Sequence, residues 1–198
     1  MKKINYSIAL ILIFMLICST NVFAAATKYE GMVAYRDGVI GGEWHAGMWV
    51  APDASYTNPI VHQAGSGYVT RVSYSGFLNA NNFKGVYYKS GAATPREYLK
   101  NMALDLTTRS IAYCSFYMLE HNASSGYILQ SNVKKMRCDG VVEYCYEWYS
   151  IELMWCYDGT RRAWDITYTG DCSFHNTLNS FSPTVQAGKL TKYSSSAY

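Results

Sequence analysis

The sequence lacks the short motifs that announce most chemistries. It has no Cys-x-x-Cys and no His-Glu-x-x-His, so no zinc site can be read from it and no metal is expected. No Gly-rich loop follows a strand to cradle a phosphate, since Gly65-Ser66-Gly67 stands between two strand-like runs and reads as a hairpin turn. No nucleophile-elbow motif supports a serine triad. Charge is scarce, at 16% of residues, and nearly balanced, with 17 Lys and Arg against 14 Asp and Glu. Its only basic cluster, Lys134, Lys135 and Arg137, is short, which gives no electrostatic case for nucleic acid. Neither internal repeats nor a second domain can be seen.

What is present begins with a leader. Met1-Lys2-Lys3 is basic, residues 8–17 are apolar, and Val22-Phe23-Ala24 resembles a cleavage site. The apolar run is too short for a comfortable membrane span. Cys18 follows Ile17, where a lipoprotein signal wants Gly or Ala, so cleavage near Ala24 is expected instead. This predicts an exported protein, secreted or held in the cell envelope, with a signal peptide over 1–24 and one domain over 25–198. Loss of Lys2 and Lys3 takes the formal charge from +3 to +1.

Beyond the leader stand Cys114, Cys138, Cys145, Cys156 and Cys172. In an oxidising compartment an odd number leaves at least one unpaired. Cys138 and Cys145 are seven apart on a predicted helix, which sets them ~10 Å apart along the axis, too far to bridge. The other four could form two disulfides in any of three connectivities, or several thiols could be buried and reduced. Cys138 opens the run Cys138-Asp139-Gly140-Val141-Val142-Glu143, where a polar start gives way to an apolar stripe. A thiol at a helix N-terminus feels the positive end of the helix dipole, so Cys138 is expected to ionise readily.

Strand patterns dominate the first half: 32–35, 43–50, 58–64, 68–73 and 84–89. Nineteen tyrosines suit a twisted antiparallel sheet. Thr94-Pro95-Arg96-Glu97 reads as a capping box, and Tyr98, Met102 and Leu106 follow at helical spacing. The stretch 113–135 reads as loop-rich, 163–168 as a strand after an Asp158-Gly159 turn, and 192–198 as a mobile tail. The fold class expected is α+β, an antiparallel sheet packed against a helix that carries the nucleophile.

A cysteine nucleophile needs a base, and the base needs a third group to orient it. His45, His62, His121 and His175 are the candidates, and His45 and His62 both fall inside predicted strands that could be neighbours. Same-face side chains on adjacent strands lie ~5 Å apart, within reach of such a relay.

Tyr113 followed by Met136-Arg137-Cys138-Asp139-Gly140-Val141-Val142-Glu143-Tyr144 resembles the nucleophile segment of NlpC-type papain-fold cysteine hydrolases. His45-Ala46-Gly47-Met48-Trp49-Val50 precedes the cysteine, an order similar to that of the circularly permuted branch, which includes YiiX-like and lecithin-retinol acyltransferase-like proteins. The likeness spans about residues 31–148. Ala112 stands where the pattern has Pro, and His62 where YiiX-like members often carry an acid. The resemblance implies a permuted papain-like fold with Cys138 as nucleophile, His45 as general base and His62 orienting it. It also implies an oxyanion site at the Cys138 backbone N–H and the Tyr113 hydroxyl. No cofactor is implied. The substrate would be an amide or ester, most plausibly a peptide of cell-wall peptidoglycan. Competing readings are a lipid esterase or acyltransferase on the same fold, and a wall-binding module without catalysis.

Overall fold

In the computed structural model the described residues are 28–38, 43–115, 117–153, 164 and 182–198. The leader, the expected strand at 163–168 (apart from Trp164), Cys156, Cys172 and His175 lie outside them.

The chain is α+β. A six-stranded antiparallel sheet runs in the order β4-β3-β2-β1-β5-β9. It is built from β1 (Val33–Asp37), β2 (Trp44–Trp49), β3 (Ile60–His62), β4 (Thr70–Val72), β5 (Phe83–Tyr88) and β9 (Thr191–Ser194). The first four strands follow one another as a meander. The β3–β4 hairpin turns through Gly65 and Gly67, both at positive φ as its tight reversal requires. A smaller sheet, β6-β8-β7, joins β6 (Ala112–Tyr113), β7 (Leu119–His121) and β8 (Val133–Met136), with β6 parallel to β8 and β7 antiparallel to it.

Side chains alternate across the large sheet. Val33, Tyr35, Ala46, Met48 and Val61 belong to one core cluster, together with Leu99, Met102 and Leu106 of α2 (Arg96–Leu106) and Val141, Val142 and Cys145 of α3 (Cys138–Glu147). Ala34, Trp49, Ile60 and Val86 turn to the other face, where Phe77 of the short helix α1 (Tyr74–Leu78) covers them. From Asp139 to Glu147 every residue of α3 is buried. A helix enclosed all round must satisfy its polar side chains inside the protein. Part of that satisfaction comes from α4 (Pro183–Ala187): Gln186 Nε2 donates to Glu143 Oε1 at 2.7 Å and to the Asp139 carbonyl at 3.1 Å, while Tyr35 OH donates to Gln186 Oε1 at 2.8 Å.

Several expectations change. α2 begins at Arg96 with Pro95 at its cap and no side-chain cap bond, so the Thr94 capping box is not made. Its buried face is Leu99, Met102, Ala103 and Leu106, leaving Tyr98 exposed. The stretch 113–135 is loop-rich, but it also carries the end of β6, β7 and the start of β8, two- to four-residue strands too short to show a period that pair with each other. The tail is not loose: β9 pairs with β5, and Tyr29 OH donates to the Ser196 carbonyl at 3.0 Å. Cys145 is a free thiol in the apolar core, and the Cys114 thiol donates to Glu120 Oε1 at 3.1 Å, so the scheme of two disulfides among four cysteines does not hold.

Candidate active site

The site lies where β2 and β3 part. Their ladder pairs Met48 with Val61 and Trp49 with Ile60, and goes no further. Toward its N-terminal end β2 therefore presents an unpaired edge on this side, at Ala46 and His45. The Cys138 thiol meets that edge, accepting a hydrogen bond from the Ala46 backbone N–H, the peptide that follows His45.

His45 and His62 form the pair expected of them. His45 Nε2 and His62 Nδ1 are 2.8 Å apart, with the rings edge-to-face. Continuing the ladder places His62 opposite Gly47, so the two rings meet on the diagonal. Gly47 makes room for this. A Cβ there would lie 2.7 Å from Ile60 Cγ2 and 3.0 Å from Phe77 Cε2. The glycine thus lets Phe77 settle against both imidazoles, each ring centre 5.6 Å from its own. That contact gives the His-x-Gly element a physical reason.

Cys138 opens α3 as expected. The turn before it is held from both sides: Arg137 N–H donates to the Met118 carbonyl at 2.9 Å, and the Arg137 guanidinium reaches over Cys138 to grip both Asp139 carboxylate oxygens. Asp139 Oδ1 also accepts from the Gly140 N–H at 3.1 Å. This fork fixes the first turn, in which Cys138 is partly exposed as a residue, its thiol buried, while the residues on either side are buried.

The electrostatics differ from the expectation of a ready thiolate. Burial pushes the Cys138 thiol up to about 12, and the Asp139 charge adds to this. The Ala46 N–H, Arg137 and the Asp139 N–H pull it down, but not far enough. Loss of hydration here outweighs a helix dipole worth about half a charge. Burial likewise holds His45 down to about 2 and His62 to about 4, helped in both by the Arg36 guanidinium and in His45 by His62 as well. At neutral pH the resting pair is therefore thiol and neutral imidazole.

Tyr113 sits on β6, opposite Met136, with its ring 38% exposed. Burial and then the neighbouring Cys138 raise its hydroxyl above the ordinary range, so it stays a neutral donor. His121 lies on β7 in the small sheet and is not part of the pair.

Arg36 was not singled out by the sequence. It is only 5% exposed and makes one hydrogen bond, to the Asp37 carbonyl. It lies directly across from His45 in the β1–β2 ladder, and its Cζ is 5.7 Å from the centre of the Phe77 ring. A signal for it exists. The strand patterns at 32–35 and 43–50 are consecutive, and an antiparallel pairing of the two brings the residue just after the first, Arg36, near His45.

Among the described residues no group of three or more His, Cys, Asp or Glu is arranged to hold a metal, and no helix is long and apolar enough to cross a membrane. No family model matches the chain, and neither a curated protein nor a solved structure matches it.

Proposed function

We propose that the chain is a cysteine hydrolase of the permuted papain-like kind, exported and acting on an amide or peptide bond, most plausibly in cell-wall peptidoglycan. The observation that carries this reading is the His45–His62 pair at 2.8 Å on the strand edge whose next peptide N–H binds the Cys138 thiol. The order of parts, a histidine on β2, a second on β3 and the cysteine at the start of a later helix, supports the permuted arrangement.

The chemistry follows from the resting charges. With Nε2–H of His45 donated to His62 Nδ1, His45 Nδ1 is the free lone pair that can take a proton. The thiol is not ionised beforehand, so the proton leaves Cys138 Sγ for His45 as sulfur attacks the carbonyl carbon. The Cys138 N–H and Tyr113 OH would donate to the tetrahedral oxyanion. His62 accepts from His45 throughout and steadies the imidazolium. Collapse breaks the C–N bond, and His45 returns its proton to the departing amine, leaving a thioester. Water then attacks the thioester, with its proton going to His45. Release of the acid returns the proton to the thiolate.

The test is to incubate the mature chain with purified peptidoglycan fragments and with fluorogenic acyl esters, and to identify products by mass. Cleavage of a muropeptide amide bond, lost in a folded Cys138→Ala variant, is expected. Ester cleavage alone would move the assignment to lipid chemistry, and sugar binding without product would make the chain a wall-binding module.

A further inference from the structure

Among the described residues Arg36 makes no ion pair, although the Asp37 carboxylate and the Cys138 thiol lie near enough to favour its charge. The nearby carboxylates are engaged elsewhere: Asp37 pairs with Lys84 at 2.7 Å, and Asp139 is gripped by Arg137. The guanidinium has a single hydrogen bond, to a main-chain carbonyl, and its Nε is buried with no partner. Burying a cation in this way is costly unless an anion arrives. The surroundings give no structural reason to keep it. Its neighbours are the Phe77 face and the two imidazoles, which burial chiefly holds neutral and its charge further disfavours in their protonated form.

Its position gives a functional one. Arg36, His45 and His62 lie in a row on adjacent strands, all on the sheet face that carries Phe77, and the thiol meets the same strand at Ala46. A guanidinium offers a planar fork that matches a carboxylate. One cation suits one carboxylate.

We infer that Arg36 is a substrate-recognition residue, its guanidinium receiving a carboxylate carried by the peptide next to the scissile carbonyl. This rests on the hydrolase reading and narrows its substrates to acidic peptides or those with a free terminal carboxylate. Binding has a second effect. A carboxylate on Arg36 offsets the charge that disfavours imidazolium, so His45 becomes a stronger base only once the right substrate is seated. Arg36 thereby links recognition to activation.

Small thiol reagents test this without a known substrate. The mature chain is treated with iodoacetate and, separately, with iodoacetamide, and the rate at Cys138 is read by mass. The ratio of the anionic to the neutral rate is expected to exceed that of the urea-unfolded chain by about tenfold. Arg36→Gln should return it to the unfolded value, while Arg36→Lys should keep most of it. An unchanged ratio in a folded Arg36→Gln protein overturns the inference.

Should Cys138 resist both reagents, as a thiol that stays protonated until substrate binds would, the hydrolase reading is left to the peptidoglycan assay and the anion site is judged separately. Acetate is then titrated while the His45 and His62 imidazole resonances are followed. Saturable shifts in the parent chain support the site. Their absence overturns it, as would saturation by dimethyl phosphate but not by acetate. To separate the two sources of carboxylate, acetyl-Ala-Ala is compared with acetyl-Ala-Glu-amide, each as an inhibitor of iodoacetate labelling.

Discussion

Cys138 and Cys145 lie two turns apart on α3, and burial raises the pKa of both thiols. What surrounds them differs. Around Cys145 the neighbours are core side chains, and nothing but desolvation acts on its thiol. Around Cys138 there are backbone donors, a paired arginine and an imidazole on the adjoining strand residue, and the residue itself is partly exposed. Burial alone makes an inert thiol. Burial beside a base and donors makes one that can be deprotonated during a reaction.

The sharpest way to break this comparison is to remove each thiol in turn. Cys138→Ala is expected to lower turnover by about 10⁴-fold or more, with little change in melting temperature. Cys145→Ala should keep activity and lose about 1–2 kcal/mol of stability, read by urea denaturation. Equal activity losses in the two variants would mean that the helix position confers nothing.

The imidazoles give the next largest effect, in the pH dependence of stability. Both folded pKa values lie below the unfolded value of about 6.5. Below that pH the unfolded chain binds protons that the folded chain refuses, so stability falls as the solution is acidified. The loss extends down to about 4 for His62 and about 2 for His45. Each group contributes a slope of about 1.4 kcal/mol per pH unit while it differs between the two states. A His45→Asn, His62→Asn double variant should show a visibly shallower acid limb between pH 6.5 and 4 in denaturant titrations.

Glu143, on the core side of the same helix, gives the opposite sign. Burial and then Glu147 raise its carboxyl well above the ordinary range. Its contribution is full below about 4.5 and is lost as pH rises through the folded pKa. Glu143→Gln should remove that alkaline loss and leave the fold intact. Glu143→Ala leaves one of the two Gln186 Nε2–H groups without an acceptor and should cost about 2–3 kcal/mol. A smaller effect is expected from Gly47→Ala, at about 1–3 kcal/mol, because its methyl group meets Ile60 and Phe77. Its diagnostic sign would be an activity loss out of proportion to the stability loss, as Phe77 is displaced from the two histidines.

Much of this was legible in the sequence where a pattern repeats. The β-meander, its Gly65–Gly67 hairpin and the start of α3 at Cys138 are marked by alternation, turn residues and a polar-to-apolar switch. His45 and His62 could be paired because their strands are consecutive. Less could be read where a contact is made once and over a long distance. The β6-β8-β7 sheet has strands too short for periodicity, and the pairing of β9 with β5 spans about a hundred residues. Arg36 was missed because an arginine ending an apolar run reads as a solvent-facing strand end. Only the ladder shows that it stays inside, across from His45. The thiol's acidity was misjudged for a related reason, since the helix dipole can be seen in a sequence and desolvation cannot.

β9 has a consequence for the order in which the molecule assembles. Among the described residues it is the neighbour of β5 on that side of the large sheet, and Tyr29 closes against Ser196 from nearly the other end of the described chain. Until residues 191–194 dock, β5 is a bare edge with unspent hydrogen-bonding capacity, the kind that recruits strands from other molecules. Docking of β9 then moves the open edge from the six-residue β5 to the shorter, four-residue β9. Contacts of such sequence separation form slowly. A refolding mixture should therefore be most sensitive to protein concentration late in its course, after the β1–β4 meander has formed, and a short peptide of the β9 sequence added in excess should act as a temporary guard.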